Sequence, residues 1–174
     1  QGALMGARVN SGVILSQLWR GFARGLDGVQ AYGPAELVHA LRISQETAYR
    51  GVVRPVEGTI LTVARETANA AERALTETST VWEILEVMVR AANEAVARTP
   101  EQLPVLKEAG VVDSGGKGLF FILEGMLRQI HGLSLDTPIA TVQPLASLKF
   151  DSGEAIEPGQ DWEVVVDFRP ARAL

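Results

Sequence analysis

The chain has 174 residues, 47% of them hydrophobic and 21% charged, and its 16 basic and 21 acidic side chains give a formal net charge of −5 at pH 7. This balance is typical of a soluble globular protein rather than a disordered one, and it argues against nucleic acid as the main partner because phosphate backbones select clustered Lys and Arg. The absence of cysteine excludes disulfides, thiolate zinc sites and cysteine nucleophiles, and no apolar run is long enough for a membrane span, so we expect a cytoplasmic protein.

Two helices are predicted in the first part of the chain. Asn10 or Ser11 is predicted to cap a helix that continues through Leu26, because Asn and Ser side chains accept hydrogen bonds from the N–H groups of a first turn. Pro34 fits the first turn of a second helix, which runs to about Tyr49. An N–H at this position would have no partner within the helix, so its absence in proline costs nothing.

A stripe of small residues and a capping pair predict the next two helices. Residues 59–75 place Leu and Ala side chains on one face, which permits close contact with another helix. Thr80 and Glu83 form the pattern of a capping box, in which each side chain accepts from the backbone N–H of the other residue. The aromatic side chains of Trp19, Trp82, Phe120 and Phe121 are assigned to the core because they fit it at helical spacing.

Two more helices complete the helical part of the chain. Residues 99–102 repeat the capping pattern and predict a short helix that ends at Gly110, a residue suited to the left-handed position after a helix. Ser114 is predicted to cap a last helix that runs through Ile130. Six helices joined by short loops predict an all-α fold, arranged as a bundle or barrel.

The sequence changes character near residue 133. Up to this point alanine and helical spacing dominate, whereas residues 134–174 are more acidic and carry turn signals. The alternation from Trp162 to Phe168 predicts an extended strand in this tail. We therefore assign residues 1–133 to a helical domain and residues 134–174 to a linker and the start of a following β-containing domain.

Three loop-to-helix junctions carry glycine and polar residues just before an apolar helix. In the first junction, residues 6–12, the N–H groups of a helix start can hold an anion, with Asn10 and Ser11 as side-chain donors and Gly12 allowing close approach. The alternative is an ordinary N-cap with a glycine for packing. The local pattern leaves both interpretations open.

The other two junctions also allow two interpretations. In the second, residues 54–59, the Thr59 hydroxyl and the Gly58 N–H can hold a nucleotide, or they merely begin the next helix, which is the favoured interpretation. In the third, residues 109–118, glycine is so frequent that we expect a close approach or an unusual dihedral, either in a ligand lid or in a tight turn. The spacing does not match a Walker motif, and no strand precedes it.

Taken in order, the three junctions resemble motifs of one known family. Residues 6–12 (GARVNSG) are similar to the Gly-Ala-Arg-Gly-Asn-Ser-Gly motif of the DhaL-like kinase domain, which opens the kinase component of bacterial fatty-acid kinase and is related to the ATP-binding part of dihydroxyacetone (glycerone) kinases. Residues 54–63 (RPVEGTILTV) and 109–119 (AGVVDSGGKGL) resemble two further motifs of that domain, in the same order. Together the motifs cover about residues 3–131.

The resemblance implies a DhaL-like antiparallel helical barrel that holds ATP or ADP at one end. It implies Mg2+ at an Asp-Gly-Asp-Thr-Gly signature before the first motif, so the metal ligands are expected upstream of Gln1, and no catalytic or metal-binding residue is assigned within this chain. A fatty-acid-binding partner protein is implied to present the acyl carboxylate that is phosphorylated. The nucleotide-binding residues implied by position are Asn10, Ser11, Gly12, Gly58, Thr59, Asp113, Ser114, Gly115 and Gly116.

Two features depart from the complete family pattern. Val9 stands where the family motif has glycine, and a β-branched valine is strained there if the position needs a positive φ. The chain is also expected to lack the first helices of the barrel. A barrel without them exposes apolar faces, so we expect instability, exchange of elements between copies, or a homodimer through the open side.

The main functional hypothesis is an ATP-dependent phosphotransferase domain that transfers the γ-phosphoryl group to an acyl carboxylate. Because the implied metal ligands are missing, this chain by itself is expected to be inactive. The alternative is a nucleotide-holding or scaffolding helical domain without turnover. A third hypothesis is a helical interaction domain whose glycine-rich loops only turn corners.

Overall fold

Seven α-helices account for most of the residues that the structure describes. The structure is a computed structural model, and it describes residues 2–77 and 79–134. Within these ranges the helices are α1 (Gly2–Gly6), α2 (Val9–Gly25), α3 (Pro34–Arg50), α4 (Ile60–Ala74), α5 (Val81–Gln102), α6 (Pro104–Ala109) and α7 (Ser114–Ile130). None of these helices combines the length and the apolar composition that crossing a lipid bilayer requires. The all-α prediction is confirmed for this part of the chain, and the predicted strand in the tail lies outside it.

The starts of three helices are confirmed, each with a local cause. Pro34 is the first residue of α3, as predicted. The Thr59 hydroxyl caps α4 by accepting the Leu61 N–H at 3.3 Å. At α5 the capping box is complete, because Glu83 Oε2 accepts the Thr80 N–H at 2.8 Å and Thr80 Oγ1 accepts the Glu83 N–H at 3.3 Å. An N-cap of this kind stabilises a helix by about 1 kcal/mol.

The predicted cap of α2 is wrong. The helix begins at Val9, and its N-cap residue Arg8 makes no side-chain capping bond. Asn10 and Ser11 lie inside the first turn with exposed side chains. The reason is the backbone of Val9, which takes a φ of +54° and turns the chain into the helix before the predicted cap.

The start of α7 is displaced by one residue from its prediction. Asp113, rather than Ser114, is the N-cap, and its Oδ2 accepts the Gly116 N–H at 2.6 Å. Asp and Ser are almost equally good capping residues, so the sequence does not choose between two neighbours of these types. The predicted end of this helix at Ile130 is confirmed.

The prediction for residues 99–102 is also wrong, since these residues form the last turn of α5 and the short helix α6 begins only at Pro104. Pro100 has no N–H with which to bond the Val96 carbonyl oxygen. The Thr99 hydroxyl donates to that oxygen instead, at 2.7 Å, so the helix continues through the proline. Gly110 follows α6 with a φ of +67°, as predicted.

Helix α4 lies at the centre of the helical domain. It contacts α2, α3, α5 and α7. Small side chains let its neighbours approach closely, which confirms the predicted stripe. Its buried residues are Ile60, Leu61, Thr62, Val63, Ala64, Thr67, Ala68, Ala70 and Ala71.

Helices α2 and α3 form a closely packed antiparallel pair. A Cβ built on Gly21 would lie 2.7 Å from Ser44 Cα, and one built on Gly25 would lie 2.5 Å from Ala40 Cα. The contacts run in opposite directions along the two helices, so the pair is antiparallel. The buried Ser44 hydroxyl donates to the Leu18 carbonyl oxygen at 2.7 Å and ties the two backbones together.

An apolar cavity of about 470 Å³ opens between α2, α3, α4, α5 and α7. Trp19 and Trp82 line this cavity and are 39% and 53% exposed, so their assignment to the core is wrong. The assignment is confirmed for Phe120, which is buried in the core, and for Phe121, which packs against it. Large apolar side chains are therefore exposed here, and a homodimer through this side remains a prediction.

Candidate functional site

The first turns of α2, α4 and α7 meet at Gly115. A Cβ built on this glycine would lie 3.0 Å from Ser11 Oγ, 3.3 Å from Asp113 Oδ2 and 3.3 Å from Ile60 Cβ. Residues from the first and third junctions thus surround one point, together with Ile60, which follows the second junction. Successive segments that meet here lie about fifty residues apart in the chain, so no local sequence pattern specifies their contact.

The glycines of the third junction have separate structural reasons. A Cβ on Gly116 would lie 2.7 Å from Val63 Cγ2, so the first turn of α7 packs directly against α4. Gly110 supplies the positive φ after α6. A side chain on Gly118 would meet no atom within 4 Å. The tight-turn interpretation therefore accounts for Gly110 and Gly116, while Gly115 faces polar atoms of Ser11 and Asp113.

The first junction is exposed and strained. Within the described ranges Val9 is the one residue other than glycine with a positive φ, and it is 69% exposed. An L-residue in this conformation costs about 1–2 kcal/mol. The side chains of Asn10 and Ser11 are exposed in the turn that follows. A Cβ on Gly12 would make ordinary contact with Ala7 Cα at 3.8 Å, so packing alone does not require glycine there.

The second junction needs its glycine for both conformation and space. Gly58 has a φ of +78°, and a Cβ there would lie 2.8 Å from Leu103 Cβ and 2.9 Å from the Thr99 carbonyl oxygen. The Thr59 hydroxyl accepts from Leu61 and donates to the Val56 carbonyl oxygen at 2.8 Å. The role of Thr59 in capping is therefore directly visible.

Thr99 connects the second and third junctions, and sequence reasoning missed this role. It is fully buried, and its carbonyl oxygen lies against Gly58. Its hydroxyl accepts the Asp113 N–H at 3.0 Å while donating to the Val96 carbonyl oxygen. The signal in the sequence was a threonine directly before a proline in a continuous helical pattern, because its hydroxyl can replace the missing N–H donor.

Asp113 is the carboxylate at this meeting point. Burial raises its pKa, although the backbone N–H groups of Gly116 and Ile60 act in the opposite direction. Both N–H groups belong to the first turns of helices, which favour negative charge. The described residues contain no group of three or more His, Cys, Asp or Glu that could hold a metal ion. These described residues therefore do not fit a magnesium site on their own.

Comparison with known proteins identifies the family. The model of the DAK2 domain matches residues 1–128. The chain belongs to the DAK2 domain family. This family is related to dihydroxyacetone kinases, which confirms the DhaL-like resemblance and supports a nucleotide- and phosphotransfer-associated domain.

Two relatives come from Staphylococcus aureus. They are the uncharacterized protein SAB1090 of strain bovine RF122 / ET3-1 and the uncharacterized protein SAUSA300_1119 of strain USA300. Each is 42% identical to this DAK2 chain over 167 residues, which is 96% of the chain and 29% of the relative. The chain thus spans less than a third of the length of these relatives.

Proposed function

We propose that this DAK2 domain is the ATP-binding part of a phosphotransferase that transfers the γ-phosphoryl group of ATP to an acyl carboxylate. In this proposal a fatty-acid-binding partner protein presents the acyl group, as in the fatty-acid kinases that the chain resembles. The observation that carries the proposal is the meeting of Ser11, Ile60 and Asp113 around Gly115.

The physical support comes from the ends of three helices. The first N–H groups of a helix have no partner within it, and its N-terminus carries a partial positive charge of roughly half an elementary unit. The first turns of α2, α4 and α7 are adjacent here, so these partial charges add at one place. Phosphoryl transfer depends mainly on positioning and charge stabilisation, which such an arrangement supplies.

Asn10 and Ser11 are the side-chain donors in the proposed site. Both are exposed at the first turn of α2 and are available to phosphate oxygens. In this proposal the magnesium ligands come from the aspartate signature that the resemblance places before the first motif. The residues named above supply the backbone and side-chain donors for the phosphate oxygens.

The proposal is tested by isothermal titration of the purified chain with ATP and with ADP, each with and without magnesium. We expect binding, and we expect Asn10→Ala to weaken it about tenfold, the effect of losing one hydrogen bond to a charged group. Asn93→Ala is the matched control, because Asn93 is an exposed asparagine on α5. No heat with either nucleotide under any of these conditions would support an interaction domain instead.

A second candidate is a nucleotide-holding domain without turnover of its own. It is favoured by Asp113, whose carboxylate caps α7 and accepts backbone N–H groups. We expect the chain alone, mixed with ATP, magnesium and an acyl-loaded partner, to form no acyl phosphate. Sustained acyl-phosphate formation in that mixture would contradict this expectation.

A further inference from the structure

Four side chains, Tyr49, Glu57, Thr62 and Arg65, form a polar network beside the second junction. Arg65 Nη1 donates to Glu57 Oε1 at 2.5 Å and to the Tyr49 hydroxyl at 3.0 Å. The Tyr49 hydroxyl in turn donates to Glu57 Oε1 at 3.2 Å. The Thr62 hydroxyl donates to the other carboxylate oxygen, Glu57 Oε2, at 2.5 Å. Both oxygens of Glu57 are thus held, one by residues of two helices and the other by Thr62.

The network reaches the backbone of the second junction through one hydroxyl. Thr62 Oγ1 accepts the Gly58 N–H at 2.9 Å while it donates to Glu57. Thr62 is fully buried and has a single proton to donate. Because Glu57 takes that proton, a lone pair of Thr62 stays directed at Gly58. Without Glu57 the hydroxyl is free to donate to a carbonyl oxygen of its own helix, a common competing bond for threonine.

The protonation states keep the network in this arrangement. Burial raises the pKa of Glu57, but hydrogen bonds from Thr62 and Arg65 and the charge of Arg65 outweigh it, so the pKa is lowered overall. Burial is also the main cause that raises the pKa of Tyr49 to about 12. At neutral pH Glu57 is therefore an ionised acceptor and Tyr49 a neutral donor, as the contacts require.

A purely stabilising role does not account well for this network. The Glu57 and Arg65 side chains are 46% and 34% exposed, and ion pairs of such exposure contribute little to stability because water and salt screen them. The bond to Gly58, in contrast, lies two residues before Ile60, which contacts Gly115 at the candidate site. A small displacement of the junction would therefore change the first turn of α4 without unfolding the domain.

We propose that Glu57 is a positioning residue for the nucleotide, which acts through Thr62 and Gly58 to fix the N-terminal end of α4 at the candidate site. The inference rests on the proposed function of nucleotide binding. Glu57 itself does not touch the nucleotide. Its role is to hold the backbone N–H groups that follow Gly58 in the orientation that receives a phosphate.

The first test compares ATP affinity with stability for variants of the network in the full chain. Glu57→Ala is expected to weaken ATP binding about tenfold, and Glu57→Gln less, because its amide oxygen still accepts from Thr62. The melting temperature should change little in both. The matched control is Glu46→Ala, which removes a glutamate paired with Arg42 and Arg50 on α3. Unchanged affinity of Glu57→Ala, with wild-type binding intact, would overturn the inference and leave the proposed function standing.

A double substitution tests whether Glu57 acts on Gly58 through Thr62. Thr62→Val keeps the shape of the side chain but removes its hydroxyl, and it should weaken ATP binding as much as Glu57→Ala. Combined with Glu57→Ala, it should still give about a tenfold loss, because both changes break one chain of contacts. A loss of ATP affinity of about a hundredfold in the double variant would show that the two substitutions act independently, and it would contradict an effect of Glu57 through Thr62. Thr62→Ser keeps the hydroxyl and should restore near wild-type affinity.

Amide hydrogen exchange separates the inference from the proposed function. If the wild-type chain binds no nucleotide, the proposed function fails, but the effect of Glu57 on the backbone can still be measured. Glu57→Ala should speed exchange at Gly58 and through residues 59–62, whereas Glu46→Ala should not. Equal exchange in the two variants would overturn the positioning role.

Discussion

The third and first junctions meet at the same point but are built with opposite local chemistry. At the third junction Asp113 caps its helix, and Gly116 occupies a position with no room for a side chain. At the first junction Arg8 makes no side-chain cap, and Val9 takes a positive φ. The third junction is therefore specified by its own residues. The first is held against its local preference by the structure around it, as strained segments usually are.

The two junctions therefore contribute to the stability of the domain in different ways. Replacing Asp113 or Gly116 of the third junction should cost stability, because their conformation and packing are already favourable. Replacing Val9 by glycine should instead raise the free energy of unfolding, because it removes the strain of the positive φ. The opposite signs give a direct way to test the comparison.

Gly116→Ala is expected to have the largest effect. The added Cβ would lie 2.7 Å from Val63 Cγ2 in a fully buried position, so either helix must move. We expect the free energy of unfolding, measured by urea denaturation, to fall by about 2 kcal/mol. Gly118→Ala is the matched control, since a Cβ there meets nothing within 4 Å, and it should raise stability by about 0.5–1 kcal/mol. Equal effects at both positions would contradict the packing explanation.

Asp113→Ala is expected to have the next largest effect. It removes the cap of α7 and leaves the Gly116 N–H without its acceptor. The free energy of unfolding should fall by about 1–2 kcal/mol, the upper range for loss of an N-cap. Asp113→Asn retains an acceptor oxygen and should lose less than half as much. If the asparagine variant is as unstable as the alanine variant, capping is not what Asp113 contributes.

Val9→Gly is expected to stabilise the chain. It relieves about 1–2 kcal/mol of backbone strain, offset by about 0.5–1 kcal/mol for the greater freedom of glycine in the unfolded chain. The net gain should be about 0.5–1 kcal/mol in urea denaturation. Val9→Ala keeps a Cβ and should recover at most half of that gain. A destabilised glycine variant would show that the positive φ carries no strain.

The smallest expected effect is the pH dependence due to Asp113. Its folded-state pKa is raised above the ordinary value of 3.8, so the folded state binds more protons than the unfolded state just above that pH. The stabilisation that comes from protonation of this group is therefore full below pH 3.8 and is lost as the pH rises through the folded-state pKa, while the capping bond to Gly116 remains. The difference in unfolding free energy between wild type and Asp113→Asn should change across that interval. A difference that is constant with pH would contradict the raised pKa.

Helix starts with a strong local cause were predictable from the sequence. Pro34 and the capping box of Thr80 and Glu83 need only neighbouring residues, and both are confirmed. The start at Asp113 was missed by one position because two capping residues are adjacent. The start at Val9 was missed because valine disfavours the conformation that it adopts there.

The site was only partly predictable for a related reason. The sequence nominated residues in each junction separately, including Ser11 and Gly115. The local patterns did not indicate that they lie together, because their contact depends on how α2 and α7 pack against α4. The expectation that both lie in one nucleotide site came from the family resemblance. The roles of Thr99 and Glu57 were missed because each depends on a tertiary or network partner, Asp113 in one case and Arg65 in the other.

Pro100 has a consequence that reaches beyond its own helix. By removing one backbone donor, it leaves the Val96 carbonyl oxygen to the hydroxyl proton of Thr99. That proton is then committed, and the oxygen lone pairs of Thr99 remain directed to the Asp113 N–H. A residue with an N–H at position 100 would free the hydroxyl to rotate. The missing hydrogen of a proline thus orients the loop that leads into α7.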